Sequence, residues 1–111
     1  MEAAAIAFVV RALEQRGFQV IDYQSKNCGY DLLAFSKSTK LLVEVKGTDC
    51  SEPRFFLTRN EYRCAVEMRE WRLFVVCAAR SAPCLYEYSG EEMRRTFVLE
   101  ALAWECTAKV E

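Results

Sequence analysis

The amino-acid sequence predicts a single α/β domain over residues 1–111, with a mixed central sheet flanked by helices. Apolar residues make up 52% of the chain and charged residues 28%, as in folded globular domains. Segments with helical and with strand-like hydrophobic spacing alternate along the sequence. One helical segment separates two strongly β-forming runs, so those two strands are expected to pair in parallel.

The first half of the chain predicts one helix followed by three strands. Apolar residues recur at helical spacing over residues 2–16, and Gly17 is suited to end that helix. Alternating apolar residues then predict the strands. The strands are expected at residues 18–23, 30–36 and 40–46, with a polar loop at 24–29 and a connector at 47–53.

A second helix is expected to begin near Thr58, after a short extended piece at residues 54–57. Thr58 and Glu61 have the spacing of a capping box, in which a hydroxyl and a carboxylate satisfy the free amides of a helix start. This role explains both residues without catalysis. The helix is expected to continue to about Arg69.

Two further strands are predicted after this helix. They cover residues 72–78 and 84–88, and the segment Ser81-Ala82-Pro83 separates them. Ser89 is expected to begin a short helix or turn. Residues 97–104 are compatible with either a helix or a strand, so the sequence leaves the fold of the tail open.

An acidic and a basic residue lie within the third predicted strand. Glu44 and Lys46 are two positions apart, so they share one face of an otherwise apolar run. Asp31 opens the preceding strand, and a hairpin between the two strands would bring Asp31 close to both. Two carboxylates and a lysine at neighbouring strand ends can bind Mg²⁺ and activate a water beside a phosphate. The alternative is a weak ion pair on the solvated face of an edge strand.

Several motifs within residues 2–76 occur together at a characteristic spacing. They are Asn27-x-Gly29-Tyr30-Asp31, Val43-Glu44-Val45-Lys46-Gly47-Thr48 and Phe56-x-Thr58-x-Asn60-Glu61, with Glu2, Ala5 and Gly17 before them. Through these residues the chain resembles the PD-(D/E)xK nuclease superfamily. Within it, the chain is most similar to the domain at the C-terminal end of the plant protein NO VEIN, a group that resembles Mrr-type nucleases and Holliday-junction resolvases. The resemblance implies a restriction-endonuclease-like fold with an α-β-β-β-α-β core.

The resemblance also implies metal-dependent hydrolysis of phosphodiester bonds, with DNA as the expected substrate of an endonuclease. Asp31, Glu44 and the carbonyl of Val45 would hold Mg²⁺ or Mn²⁺, and Glu2 would be a further acidic ligand. Lys46 would orient or deprotonate the attacking water and offset charge on the phosphate.

Several side chains near the acidic cluster are candidates for nucleic-acid contact. Arg54, Arg59 and Arg63 are expected near the start of the second helix, where they could meet phosphate, and Asn60 could face the site. Tyr30 could stack on bases. The alternatives are arginines that are only solvated and a tyrosine that packs in the core or an interface.

Two other functions stay open at this point. A non-catalytic module that binds nucleic acid or a protein is favoured by the net charge of −1 and the lack of a clear basic stripe. A catalytic module could instead depend on a separate targeting, helicase or ATPase partner. A homodimer would place two sites on two strands, and the apolar tail is its candidate interface unless it closes the core. That tail contains Phe97, Val98, Leu99, Leu102 and Trp104.

The six cysteines are expected to be reduced thiols. There is no C-x-x-C pair and no histidine, so a zinc site is not supported. Cys64 and Cys77 are expected in the core, whereas Cys28 and Cys50 flank the acidic cluster. No apolar run is long enough to span a membrane and no export signal is evident, so a cytoplasmic location is expected.

Overall fold

The computed structural model describes residues 2–48, 53–78, 83–103 and 106–109. Its elements are α1 (Glu2–Gln15), β1 (Gln19–Asp22), a 3-10 turn (Gln24–Lys26), β2 (Leu32–Phe35), β3 (Lys40–Thr48), α2 (Arg59–Glu67), β4 (Trp71–Ala78), β5 (Pro83–Ser89) and α3 (Gly90–Thr96). This is a mixed α/β architecture compatible with a restriction-endonuclease-like fold, so the predicted fold class is confirmed.

The strands form one sheet in the order β1-β2-β3-β4-β5. β3 and β4 are parallel, as the sequence predicts from the helix between them, and the other neighbours are antiparallel. Leu32 of β2 lies opposite Val43 of β3, and Glu44 lies opposite Leu73 of β4. β3 is therefore the middle strand of the sheet, with a paired strand on each side.

Helices cover both faces of the sheet. α1 packs Val9 and Leu13 against one face, where Val43 and Val45 of β3 lie. On the other face, Leu42 of β3 packs in a cluster that contains buried residues of α2 and α3. Because side chains alternate along a strand, Glu44 and Lys46 belong to the face of Leu42, under α2.

β3 is longer than the sequence predicts. The expected connector begins at residue 47, but Gly47 and Thr48 stay paired with Val76 and Cys77 of β4, so this boundary was wrong. Parallel pairing with β4 extends the strand beyond its last apolar residue. The hydroxyl of Thr48 accepts the N–H of Arg54 at 2.8 Å and donates to its carbonyl at 3.1 Å, which fixes the returning chain.

Among the described residues after α3, Phe97 packs against the core. Residues 97–103 are neither helix nor strand, and Phe97 makes edge contacts with Phe55 and Tyr88 at centroid distances of 5.0 and 5.3 Å. Val98 and Leu102 are 89% and 70% exposed. Trp104 lies outside the described residues, and the dimer prediction for this tail stays a prediction.

Burial of the cysteines follows the sequence expectation where it can be compared. Cys64 and Cys77 are buried and Cys28 is exposed, whereas Cys50 lies outside the described residues. Across the part of the chain that the structure describes, no helix has the length and apolarity that crossing a membrane requires.

Alanine substitutions at two glycines can test how closely the segment before β2 packs on α2. Gly29 and Gly17 both have positive φ, +99° and +92°. A Cβ on Gly29 would lie 2.8 Å from the carbonyl oxygen of Asn60 and 3.0 Å from the Cβ of Cys64, whereas Gly17 has open space. In urea unfolding, Gly17→Ala should lower stability by about 1 kcal/mol for the backbone conformation alone. Gly29→Ala should lose about 1–3 kcal/mol more through overpacking. Equal losses would contradict the close contact.

Candidate functional site

Asp31 lies just before β2, at the point where the pairing of β2 with β3 begins. Its N–H donates to the carbonyl of Val43 at 2.8 Å, and its Oδ2 accepts the main-chain N–H of Val45 at 2.9 Å. The Asp31 side chain thus takes the place of a main-chain partner and extends the hydrogen bonding between β2 and β3 to Val45. The Asp31 carboxylate therefore lies against the main chain of β3, next to Glu44, as the predicted hairpin requires.

The segment that carries Asp31 is held at both ends. The indole Nε1–H of the fully buried Trp71 donates to the carbonyl of Gly29 at 3.0 Å. The N–H of Tyr23 donates to the carbonyl of Asp31 at 2.7 Å, and the rings of Tyr23 and Tyr30 stack at 5.6 Å. The contact between Trp71 and Gly29 spans 42 positions and leaves no sequence signal.

Glu44 is a buried carboxyl. It is 2% exposed in the middle of the sheet, so the edge-strand alternative is wrong. Its Oε2 lies 3.1 Å from the Nζ of Lys46. Its Oε1 is buried and has no hydrogen-bond partner among the described residues. Such an atom is uncommon, because buried polar atoms in proteins are nearly always hydrogen-bonded.

Lys46 joins the strand to the start of α2. Its Nζ lies 3.1 Å from Glu44 and 3.1 Å from the Oε1 of Glu61. The same Glu61 oxygen accepts the N–H of Thr58 at 3.0 Å, and the Thr58 hydroxyl accepts the N–H of Glu61. The predicted capping box is confirmed, but it does not explain Glu61 completely, since that carboxylate also positions Lys46.

The cluster contains more acidic than basic groups. Burial, together with the nearby carboxylates of Asp31 and Glu61, raises the pKa of Glu44 to about 9, although Lys46 acts to lower it. Burial alone would lower the pKa of Lys46, but Glu44 and Glu61 outweigh it and raise that pKa above its usual value. Lys46 is therefore an ammonium at neutral pH, surrounded by carboxyl groups.

The residues present fit a divalent cation. Mg²⁺ is commonly held by one or two carboxylates with water and other oxygen ligands. Asp31 and Glu44 supply the carboxylates, and Glu44 Oε1 is the buried oxygen that lacks a partner. In an extended strand the N–H and C=O of a residue point to the same side, so the Val45 carbonyl faces the side on which its N–H meets Asp31. Within the described ranges, no three His, Cys, Asp or Glu side chains form a metal-binding group.

The other predicted site residues fall in different places. Arg59, Asn60 and Arg63 line one shallow cleft together with Asn27 and Thr58. Arg54 lies in the connector after β3, where its main chain is bound to Thr48. Tyr30 lines an adjoining pocket. Glu2 begins α1, but its side chain lies outside the described part, so its assignment as a ligand stays a prediction.

The chain matches the model of a known protein family. The family model described as "Protein NO VEIN, C-terminal" matches residues 1–88, which include Asp31, Glu44, Lys46 and Glu61. No curated protein sequence matches the chain.

The buried Glu44 predicts a pH dependence of stability in metal-free buffer. Its pKa is about 9 in the folded chain against a usual 4.5, so between these values the folded state binds one more proton than the unfolded state. The free energy of unfolding should then fall as pH rises from about 5 to about 8, by at most about 1.4 kcal/mol per pH unit from this group. Glu44→Gln should flatten this slope in urea unfolding with EDTA.

The matched control is Glu14→Gln on α1, an exposed position for which the slope should not change. If wild type and Glu44→Gln had the same slope, Glu44 would be ionised in the folded chain and the unfavourable burial of its charge would be disproved.

Proposed function

This chain belongs to the family of the NO VEIN C-terminal domain, and from that membership together with its acidic site we propose that it is a metal-dependent nuclease of the PD-(D/E)xK type. It would hydrolyse phosphodiester bonds in nucleic acid, with DNA as the expected substrate. The observation that carries the proposal is the Glu44 carboxyl, which is buried beside Asp31 with one oxygen held by Lys46 and the other without a partner among the described residues.

Asp31, Glu44 and the Val45 carbonyl would hold Mg²⁺ or Mn²⁺, which supplies an acidified water and stabilises charge on the phosphate when bound. The chain fixes the orientation of both carboxylates. The N–H of Val45 holds Asp31 at 2.9 Å, and Lys46 holds Glu44 at 3.1 Å. Oriented carboxylates need little rearrangement when they bind a ligand, which supports their assignment as metal ligands.

Lys46 would act as an oriented cation. Its ammonium is held by Glu44 on its own strand and by Glu61 on α2, both at 3.1 Å. These two contacts favour the charged form of Lys46, so Lys46 would orient the attacking water and offset phosphate charge rather than remove a proton. Glu61 is then a positioning residue, because it acts through Lys46.

A non-catalytic module on the same fold is the second candidate function. The net charge of −1 favours it, because nucleic-acid affinity depends strongly on positive charge.

For a catalytic domain, pairing of two copies would supply cuts in both DNA strands, and a helicase or ATPase partner would supply targeting. Both follow from the resemblance and remain proposals.

Cleavage of supercoiled and branched DNA with Mg²⁺ or Mn²⁺ tests the catalytic proposal. Asp31→Ala and Lys46→Ala should each reduce cutting by about 100-fold or more, because each removes a group that acts on the reacting phosphate or water. Lys37→Ala, an exposed lysine in the β2–β3 turn, is the matched control and should cut normally. Circular dichroism checks that each variant is folded.

Equal cutting by all of these proteins would indicate a contaminating nuclease and remove the site assignment. A wild-type chain that cuts neither substrate with either metal would contradict an autonomous nuclease and favour the second candidate function.

Metal binding can be measured separately from cleavage. Because a ligand that binds only the folded state stabilises it, Mg²⁺ or Mn²⁺ at a hundredfold excess over Kd should add about 2.7 kcal/mol to the free energy of unfolding. The rise in thermal midpoint should disappear in Asp31→Asn and should not occur with NaCl of matched ionic strength. A non-catalytic scaffold would not respond to the metal.

A further inference from the structure

A second concave surface lies beside the acidic site. It is a pocket between the segment before β2 and α2, and its floor is formed by Leu42, Cys64 and Met68. Leu42 and Cys64 are 3% and 8% exposed, so most of the floor belongs to the core. Tyr30 lines the pocket, and the polar residues that line it include Asn27, Asn60 and Arg63. The catalytic proposal does not use this pocket.

The pocket is continuous with a basic cleft. Asn27, Asn60 and Arg63 line both, and the cleft adds Thr58 and Arg59. The combined surface therefore has two parts with different chemistry. One part is polar with two arginines, and the other has an apolar floor with an aromatic ring and two amides.

Both walls of the pocket continue directly into the acidic site. Tyr30 lines the pocket and the next residue, Asp31, is the carboxylate bound to the Val45 N–H. On α2, Asn60 lines the pocket and the next residue, Glu61, holds Lys46. Successive Cα atoms are about 3.8 Å apart. A ligand in the pocket would thus adjoin the group of carboxylates and Lys46.

One wall of the pocket has a fixed position. Trp71 holds the carbonyl of Gly29, and the ring of Tyr30 stacks on Tyr23 at 5.6 Å with an interplanar angle of 23°. Gly29 touches α2 so closely that no side chain fits between them. The wall that carries Gly29 and Tyr30 is therefore fixed, and binding would not require ordering of that wall.

This combination of groups matches the chemistry of a nucleotide. Arginines bind phosphate oxygens, an aromatic ring and apolar floor accommodate the faces of a base, and amides can hydrogen-bond its edge. A base within a duplex has its faces covered by its neighbours, so it must be unpaired or turned out to enter such a pocket. Lys40 and Glu67, which also line the pocket, add one charge of each sign.

We propose that this pocket binds one unpaired nucleobase beside the phosphate that is cut. The inference rests on the proposed nuclease function and specifies its substrate class as nucleic acid with an unpaired nucleotide, such as a single strand, gap or branch. Tyr30 and the floor bind the base, and Arg59 and Arg63 bind the adjoining phosphates.

The test measures binding by fluorescence anisotropy with Ca²⁺ in place of Mg²⁺. Three labelled DNA probes of equal length are compared: a single strand, a blunt duplex, and a single strand whose central nucleotides are abasic. The wild-type chain should bind the single strand about tenfold more tightly than the abasic strand, because loss of base stacking has an effect of that order. It should also bind the single strand more tightly than the duplex.

Variants distinguish the contribution of base binding from that of phosphate binding. Tyr30→Leu should remove the preference for the single strand over the abasic strand, whereas Tyr30→Phe should keep it. Tyr86→Leu, at an exposed tyrosine of β5, is the matched control. Met68→Glu places a charge on the pocket floor at a 41% exposed position and provides a second test if Tyr30→Leu fails to fold. Arg63→Gln should weaken all probes alike and Arg11→Gln on α1 should not.

Each outcome bears on the pocket or on its premise. If the wild-type chain binds all three probes equally, and Tyr30→Leu and Met68→Glu bind them as the wild type does, the base pocket is disproved. The cleavage assay still decides the nuclease proposal. If the wild-type chain binds none of the probes, the base pocket is disproved as well, and the cleavage assay alone decides the nuclease proposal.

Discussion

The buried carboxyl of Glu44 is the feature on which the rest of this face depends. It is 2% exposed, so its ionised form is unfavourable unless positive charge lies nearby. Lys46 supplies one ammonium at 3.1 Å, but Asp31 and Glu61 add negative charge to the same cluster. The cluster thus contains three carboxyl groups and one ammonium, and a bound divalent cation would offset its excess of negative charge.

The same electrostatic requirement connects distant parts of the fold. Lys46 can stay beside Glu44 because Glu61 holds its other side, and Glu61 is fixed because it also caps α2 through Thr58. A displacement of the start of α2 would therefore move the Lys46 ammonium. On the opposite wall, Trp71 fixes the Gly29 carbonyl, two residues before Asp31. The proposed active site thus depends on a helix start and a loop that are each anchored in the core.

Local sequence patterns predicted the elements well where neighbouring residues decide them. The capping box at Thr58 and the parallel pairing of the strands on either side of α2 both follow from short-range spacing, and both are confirmed. The end of β3 was predicted two residues too early, because Gly47 has weak strand propensity, and pairing with β4 keeps Gly47 and Thr48 in the strand. An edge position for Glu44 was also compatible with the sequence, since the strand pattern does not reveal what covers a face.

The sequence by itself determined that Glu44 and Lys46 share one face of a strand and that Asp31 lies near the start of the strand that pairs with theirs. These relations depend on the two-residue period of extended backbone and on a short hairpin, which are local properties. Only the tertiary structure decided that this face is buried, that Asp31 accepts the Val45 N–H, and that Glu61 reaches Lys46. It also placed Tyr30 and Asn60 in one pocket. Those contacts join residues far apart in the chain, and packing of the helices against the sheet brings them together.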